Sequence, residues 1–259
     1  MLGTDFEMQP HMPPLFKREK PDSQKIWRYL EFERFVDLLS TGTLYFSRVD
    51  KVGDDPLEGR ITDASLEEWS RVIPWANEAA KQVGIENRKQ SIKYAPYHNF
   101  INCWHMNQSE SMAMWKIYAK KGIAIQSTIE NLKNSITDTT FHIDYAEVEY
   151  ITETSIIPIN NIKIPFGYKR KSFEYENEFR AIILEIPEPT GTIIPTINLS
   201  ISNPMEGIRV RLNIDRLIDH VYVFPYAKQS FYDCTKSVME KYGLANKISQ
   251  SNFTIGLSY

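Results

Sequence analysis

The sequence has few of the features that mark several large classes of protein. It holds two cysteines, Cys103 and Cys234, among 259 residues, which is too few for a disulfide framework. It has no run of about 18 apolar residues and no signal-peptide pattern, so we expect a cytoplasmic protein with no membrane segment. The net charge of -3 and the pI near 6.0 give no support for nucleic-acid binding through overall charge, although a local basic patch remains open.

The common signatures of enzyme active sites are also missing. The sequence contains no Gly-x-x-x-x-Gly-Lys loop, no Gly-x-Gly-x-x-Gly, no His-Glu-x-x-His and no Gly-x-Ser-x-Gly. Cys103 and His105 lack a second pair of ligands at zinc spacing, and the other histidines are scattered. We therefore predict no bound metal and no histidine-based triad.

Composition and pattern favour one α+β domain. Apolar residues make up 42% and aromatic residues 12% of the chain, enough for a sizeable core. Residues 1–24 contain four prolines and no periodicity, which predicts a mobile N-terminal arm or a packing tail. Apolar residues recur at helical spacing over 32–39, and Gly42 follows where a helix C-cap glycine belongs. Irregular strand and helix order, with long antiparallel strands, predicts a single α+β domain over 25–259 with a helical insertion at about 60–99.

The segment 173–186 is the strongest candidate for a site. Side chains alternate between the two faces of a strand, so a strand here would place one row of polar side chains on one face. That row is Glu174, Glu176, Glu178 and Arg180. Alternating carboxylates repel each other unless a cation lies opposite them. The pattern therefore indicates either a cleft for a cationic substrate or intermediate, or a solvated strand edge.

Two further groups of residues each allow two interpretations. Asp54, Asp55 and Glu58 lie in a loop, where they either hold a divalent cation or cap a turn. Trp115 and Tyr118 lie three positions apart on one side of a predicted helix, where they form either part of the core or a platform for stacking a base. The sequence favours the turn and the core.

Five short motifs together resemble an uncharacterised bacterial family of unknown function, marked by an Asn/Asp-Asp-Pro-x-Glu-Gly loop and a late Tyr-Glu-x-Glu-x-Arg strand. In this chain they are Trp27-Arg28-Tyr29, Leu44-Tyr45-Phe46-Ser47, Asp55-Pro56-Leu57-Glu58-Gly59, Trp115-Lys116-Ile117-Tyr118-Ala119 with Gly122-Ile123-Ala124-Ile125, and Tyr175-Glu176-Asn177-Glu178-Phe179-Arg180. The resemblance spans roughly residues 25–250. The chain departs from it at Asp54, where the family usually has Asn, and in the insert at 60–99. Members of the family are often found near mobile elements and phage defence, which implies a defence protein or toxin.

A second resemblance implies an activity. The chain has an early arginine, then a middle strand ending in serine or threonine, and then a late Glu-x-Glu. This order is similar to that of the arginine–serine–glutamate ADP-ribosyltransferases. That resemblance implies a split, mostly antiparallel sheet flanked by helices, with NAD as the substrate. Arg28 would hold the dinucleotide phosphates and Ser127 would brace the site. Glu178 would stabilise the oxocarbenium-like ribose as nicotinamide leaves, and Glu176 would orient the acceptor. The full cofactor-binding set implied is Arg28, Tyr29, Ser47, Trp115, Tyr118, Ser127 and Arg180, with Asp55 and Glu58 in the substrate loop.

The sequence thus leaves three hypotheses. The leading one is a cytoplasmic NAD-consuming enzyme of the ADP-ribosyltransferase type that modifies an unknown protein or nucleic-acid acceptor. The alternative is a non-enzymatic module of a defence system, whose charged strand and loop 55–58 bind a partner protein or nucleic acid. The third is a metal-dependent nuclease that uses Asp54, Asp55, Glu58 and the late glutamates.

Overall fold

A nine-stranded, mostly antiparallel sheet organises the chain, and helices flank it. The structure is a computed structural model that describes residues 15–52, 55, 58–186, 199–200, 203–251 and 253. The strands are β1 Lys25–Glu31, β2 Thr43–Arg48, β3 Asn99–Met106, β4 Gly122–Thr128, β5 Ile143–Glu147, β6 Glu149–Ile151, β7 Tyr168–Arg170, β8 Glu178–Leu184, β9 Gly207–Arg211, β10 His220–Val223 and β11 Ile248–Gln250. The α-helices are α1 Phe32–Thr41, α2 Asp63–Val72, α3 Glu78–Tyr94, α4 Met112–Tyr118, α5 Ile129–Ser135, α6 Ile214–Leu217 and α7 Gln229–Lys241. The predicted α+β fold is confirmed.

The sheet is split at β3. Along its main path the strands run in the order β11-β10-β4-β1-β3-β2-β9, while β8 pairs with β3 and with β5. On one edge β3 pairs with β8 from Asn99 to His105. On the other edge it pairs with β1 only near Met106 and with β2 only near Ile101. Between those two contacts β1 and β2 diverge, which gives the sheet the split form that was predicted.

The helix α1 joins the two diverging strands and begins the core. Its buried residues are Phe35, Leu38 and Leu39, which pack on the same apolar cluster as the inner face of the sheet. Burying each such side chain contributes about 1.5–3 kcal/mol. Gly42 ends the helix in the left-handed conformation, with φ 61°, and donates its N–H to the carbonyl of Leu38. The predicted glycine cap is therefore present.

The segment that was expected to be one strand over 173–186 is divided into two parts. Residues Lys171–Glu176 form a 3-10 helix, and β8 begins only at Glu178. Asn177 separates them in the left-handed conformation, with φ 44°, which asparagine tolerates better than most residues. Its side chain also donates to the carbonyl of Met106. The prediction of a strand at 173–177 was wrong because this local turn overrides the alternating pattern.

Two segments outside the central sheet are the helical insertion and residues 15–24. The helices α2 and α3 occupy the predicted insertion, and Thr62 and Asn77 cap them by accepting backbone hydrogen bonds. Residues 15–24, from the segment assigned to an N-terminal arm, pack on the domain through Phe16, which is 7% exposed; residues 1–14 lie outside the described part. No helix within the described ranges has the length and apolarity needed to cross a membrane.

Candidate functional site

Five charged side chains meet where β7 and the start of β8 come together. They are Glu58, Lys169, Glu176, Glu178 and Arg180, and we call them the buried charge cluster. The two β8 members are separated by one residue, so they point to the same face of the sheet. Lys169 lies on β7, the short strand that directly precedes the 3-10 helix. The chain turns back through this helix, so that Lys169 lies beside the start of β8. The loop before α2 supplies Glu58.

Arg180 is the most enclosed member of the cluster, with 1% of its side chain exposed. Its Nε donates to Glu178 at 2.5 Å, and its Nη1 donates to Glu58 and to the carbonyl of Phe166. Burial opposes the charge of the guanidinium, but the carboxylates of Glu178 and Glu58 outweigh it and hold the pKa of Arg180 above its ordinary value. Arg180 therefore stays charged and ties the loop to β8.

Lys169 bridges the two late glutamates. Its Nζ donates to Glu176 and, at 2.9 Å, to Glu178, and it lies 4.0 Å from Glu58. The ammonium also lies 4.6 Å from the centre of the Phe173 ring, a favourable cation–π distance. Burial again opposes the charge, and the neighbouring carboxylates raise the pKa of Lys169 above its ordinary value. The sequence analysis assigned no role to Lys169, although it lies in the same charged segment.

The two late glutamates have opposite electrostatic surroundings. Burial raises the pKa of Glu176 to about 7, and the hydrogen bond and the charge of Glu178 contribute further. Burial also acts on Glu178, but Arg180, the bond from Glu176 and Lys169 outweigh it and hold its pKa well below the ordinary range. Near neutral pH Glu178 is therefore ionised, while Glu176 is present in both its protonated and its ionised form. The cluster has a net charge of zero or −1, depending on that proton.

Tyr118 connects the cluster to the surface. Its hydroxyl donates to Glu176 Oε1 at 2.9 Å, and 37% of the residue is exposed. His105 Nδ1 lies 2.8 Å from the carbonyl oxygen of Glu176, and its ring lies 5.4 Å from that of Tyr118. Burial lowers the pKa of His105, so its imidazole is neutral at pH 7. Tyr118 is thus more exposed than His105, Lys169 and Glu178, the other side chains around Glu176.

Backbone and loop groups complete the surroundings of the cluster. The N–H of Glu178 donates to the Tyr150 hydroxyl at 2.8 Å, a partner that the sequence analysis missed. Asp55, which lies in the same loop as Glu58, forms an ion pair with Arg170 of β7 at 2.7 Å. Asp54, the remaining acid of the proposed metal site, lies outside the described residues.

The arrangement does not favour a metal ion. Within the described ranges no group of three or more His, Cys, Asp or Glu side chains is placed to hold one. The carboxylate oxygens of Glu58 and Glu178 are occupied by the cations of Arg180 and Lys169. A divalent cation needs several free oxygens, and it would also be repelled by these two charges.

Arg28 does not join the cluster. In the sheet, Trp27 lies opposite His105, and His105 lies opposite Glu178. Directly paired residues share a face, while neighbours on one strand alternate. Arg28 therefore points to the other face, where its guanidinium lies 5.8 Å from the centre of the Trp104 ring. Ser47 lines the same cavity as Arg28, but it pairs with Ile101 of β3 and therefore shares the face of His105 and Glu178.

The other three predicted cofactor ligands have local structural partners. The Tyr29 hydroxyl accepts from the N–H of Ser111 at 2.7 Å, and its ring packs at 5.1 Å against Trp115. Trp115 is fully buried and donates to Glu110 at 2.9 Å. Ser127 is also fully buried and donates to the carbonyl of Leu217 at 2.6 Å. The structure thus gathers Glu58, Tyr118, Glu176, Glu178 and Arg180 from the predicted set, and gives Trp115 and Ser127 places in the core.

Comparison with known proteins adds no relative to this picture: no family model, curated protein or solved structure matches the chain.

Proposed function

We propose that the chain is an enzyme that cleaves a glycosidic bond, with the pair Glu176 and Glu178 at its active site. The observation that carries this proposal is the geometry of one buried pair: Lys169 bridges Glu176 and Glu178, while Arg180 pairs with Glu178 and not with Glu176. These contacts hold the pKa of Glu178 below that of Glu176. Two neighbouring carboxyl groups whose pKa values differ in this way are typical of the acid and base pairs of active sites. Such a pair suits a transition state in which positive charge develops on a sugar carbon.

The particular activity that we propose is NAD consumption of the ADP-ribosyltransferase type. The bond between the ribose carbon and nicotinamide breaks, and its electron pair leaves with nicotinamide. The oxocarbenium-like ribose then bonds to an acceptor, which gives up a proton to the ionised form of Glu176. A base with a pKa near the working pH is the most effective, and the pKa of Glu176, about 7, meets that requirement.

Glu178 acts in this proposal through its fixed charge. It stays ionised beside Glu176, so it raises the pKa of that group, and it adds negative potential where the ribose becomes positive. We regard Glu178 as a positioning residue because Lys169 and Arg180 already occupy its oxygens. Arg28 has no role at this site, since it points to the other face of the sheet. The proposed setting, a bacterial defence against phage, rests on the resemblance of the sequence motifs alone.

The test is nicotinamide release from NAD by the purified protein and three variants. Glu176→Gln should lower kcat by about 10²-fold or more, the usual contribution of a general base. Glu178→Gln should also lower the rate and should move the pH profile of the remaining activity to lower pH, because the fixed charge beside Glu176 is gone. The matched control is Glu174→Gln, an exposed glutamate of the same 3-10 helix, which should keep the wild-type rate. A folded wild-type protein that neither binds nor consumes NAD, or a Glu176→Gln variant with an unchanged rate, would refute the proposal.

One observation favours a second candidate, a non-enzymatic binding module. Every charge of the buried charge cluster already has an opposite charge within 4.0 Å, as expected of a network that only fixes a loop to a sheet. This candidate predicts no NAD affinity, and partner binding that survives Glu176→Gln. The same set of variants therefore separates the two functions.

A further inference from the structure

A cavity lies in the split of the sheet, and no residue of the buried charge cluster lines it. It occupies the wedge between β1 and β2, where α1 closes the gap, and has a volume of about 330 Å³. Its polar lining comes from β1, α1, β2 and β9. We call it the arginine cavity, and the residues that define it are Arg28, Arg34, Asp37, Tyr45, Ser47 and Arg209.

The lining of the arginine cavity has an excess of positive charge. Asp37 is its one carboxylate, and Arg209 engages both oxygens of that group at 2.8 and 3.2 Å. No carboxylate of the described residues forms an ion pair with Arg28 or Arg34. The three arginines and one aspartate leave a net charge of +2 in the cavity wall.

Arg28 is held in place without a counter-ion. Its backbone lies in the middle of β1, paired with Ile125 of β4, and its guanidinium stacks near Trp104 at 5.8 Å. Burial lowers the pKa of Arg28 to about 10, and the positive charge of Arg34 adds to the effect. A half-buried cation without a partner is costly, so an anion entering the cavity would relieve this cost. The fold has placed a rigid, unneutralised guanidinium in a concave site.

Hydroxyl groups add directional donors beside the arginines. The Ser47 side chain makes no hydrogen bond with any described residue, so it is free to donate to a ligand. The Tyr45 ring, 39% exposed, lies under Arg209 at 5.5 Å and offers an aromatic wall. The guanidinium groups of arginine, together with a neighbouring hydroxyl, are well suited to donate hydrogen bonds to the oxygens of phosphate.

We infer that the arginine cavity binds a small molecule that carries a dianionic phosphate group, at a site separate from the buried charge cluster. The net charge of +2 matches a phosphate monoester at neutral pH. The volume lies at the lower end of the range for small-molecule sites, which suits a phosphate with one sugar rather than a whole dinucleotide. This inference stands independently of the NAD proposal, because no residue of the buried charge cluster lines the arginine cavity.

The experiment is a binding titration with three probes: inorganic phosphate, ribose 5-phosphate and NAD. Each is added to the full chain in chloride buffer at constant ionic strength, and binding is followed by calorimetry and by amide chemical shifts. We expect saturable binding of phosphate and of ribose 5-phosphate, with the largest shifts in β1, α1 and β2. Arg28→Gln and Arg34→Gln should each weaken that binding about tenfold or more, about 1.4 kcal/mol. The matched control is Arg71→Gln, an exposed arginine of α2, which should bind as the wild type does.

The outcomes of the titration separate the two proposals. Tighter binding of ribose 5-phosphate than of phosphate identifies an ester as the occupant, and equal binding identifies the free anion; either supports the inference. An absence of saturable binding, or binding that both arginine variants retain, would overturn it. NAD that competes with phosphate and needs Arg28 would overturn the separation of the two sites. Arg34 lies on the exposed side of α1, so Arg34→Gln keeps the test valid if Arg28→Gln does not fold. Glu176→Gln should leave phosphate binding unchanged, whatever its effect on NAD turnover.

Discussion

Arg180 and Glu58 form an ion pair with 1% and 6% of their side chains exposed, although 122 positions of sequence separate them. The pair fastens the loop before α2 to the third residue of β8. Glu178 shares the same guanidinium from the other side. The candidate site therefore depends on one arginine for both its shape and its charge balance.

Replacing Arg180 by Met should destabilise the fold strongly. The substitution leaves Glu58 without its main partner and Glu178 with Lys169 alone, inside a region closed to water. Removing one partner of a buried ion pair costs about 3–5 kcal/mol, and urea unfolding would measure that loss. Arg71→Met, in the exposed pair with Glu68, is the control and should change the unfolding free energy little. Equal effects of the two substitutions would contradict the structural role assigned to Arg180.

The pH dependence of stability should carry the signature of Glu176. Folding raises the pKa of this group from 4.5 to about 7, so between those values the folded protein binds more protons than the unfolded chain. Its contribution to stability is full below about pH 4.5 and is lost as the pH rises through about 7. Glu178, with a lowered pKa, has the opposite sign and contributes above about pH 4.5, losing its effect as the solution becomes more acid.

Unfolding measured from pH 5 to 8 isolates the contribution of Glu176 to stability. The wild type should lose stability relative to Glu176→Gln as the pH rises, by at most about 1.4 kcal/mol per pH unit, the value for one proton. Glu174→Gln should follow the wild type. Tyr118→Phe removes a donor to the Glu176 carboxylate, so it should raise the pH at which the loss occurs. Parallel curves for the wild type and Glu176→Gln would show that this carboxyl does not titrate in the range.

Asn102 should be needed to hold the split of the sheet. It is buried, its Nδ2 donates to the Tyr45 carbonyl at 2.8 Å, and its Oδ1 accepts from the Trp104 indole at 2.7 Å. Asn102→Ala leaves a buried donor and acceptor unsatisfied, which costs about 1–3 kcal/mol. Thermal and urea unfolding check the loss, and the exposed Asn87→Ala on α3 should stay within about 0.5 kcal/mol of the wild type. A phosphate affinity that also falls in Asn102→Ala would link this residue to the arginine cavity.

Gly59 should tolerate no side chain. Its φ is 69°, and a Cβ there would lie 2.1 Å from the Phe166 ring. Gly243 has a similar φ of 75° but open space around its Cα, so Gly243→Ala measures the backbone strain alone, about 1–2 kcal/mol. Gly59→Ala should cost clearly more, since Phe166 must also move and its carbonyl accepts a hydrogen bond from Arg180. Similar losses for the two variants would mean that the loop adapts without disturbing the cluster.

Local patterns determined much of the fold. The spacing of apolar residues in α1 and the glycine after it predicted both the helix and its end. The alternating charges of the late segment identified Glu178 and Arg180 as unusual, and the acidic loop identified Glu58. The prediction of α1 and its cap was confirmed, because a helix and its cap depend on residues close together in the chain.

Tertiary structure decided the composition of the site. The 3-10 helix before Asn177 moved Glu176 off the strand, and a return through β7 brought Lys169 between the two glutamates. Strand register then set Arg28 apart from Glu178, because a shift of one residue moves a side chain to the other face of a sheet. That register is fixed by pairing between β1, β3 and β8, which lie far apart in sequence. The sequence alone thus determined which residues are chemically unusual, and only long-range strand pairing decided which of them meet.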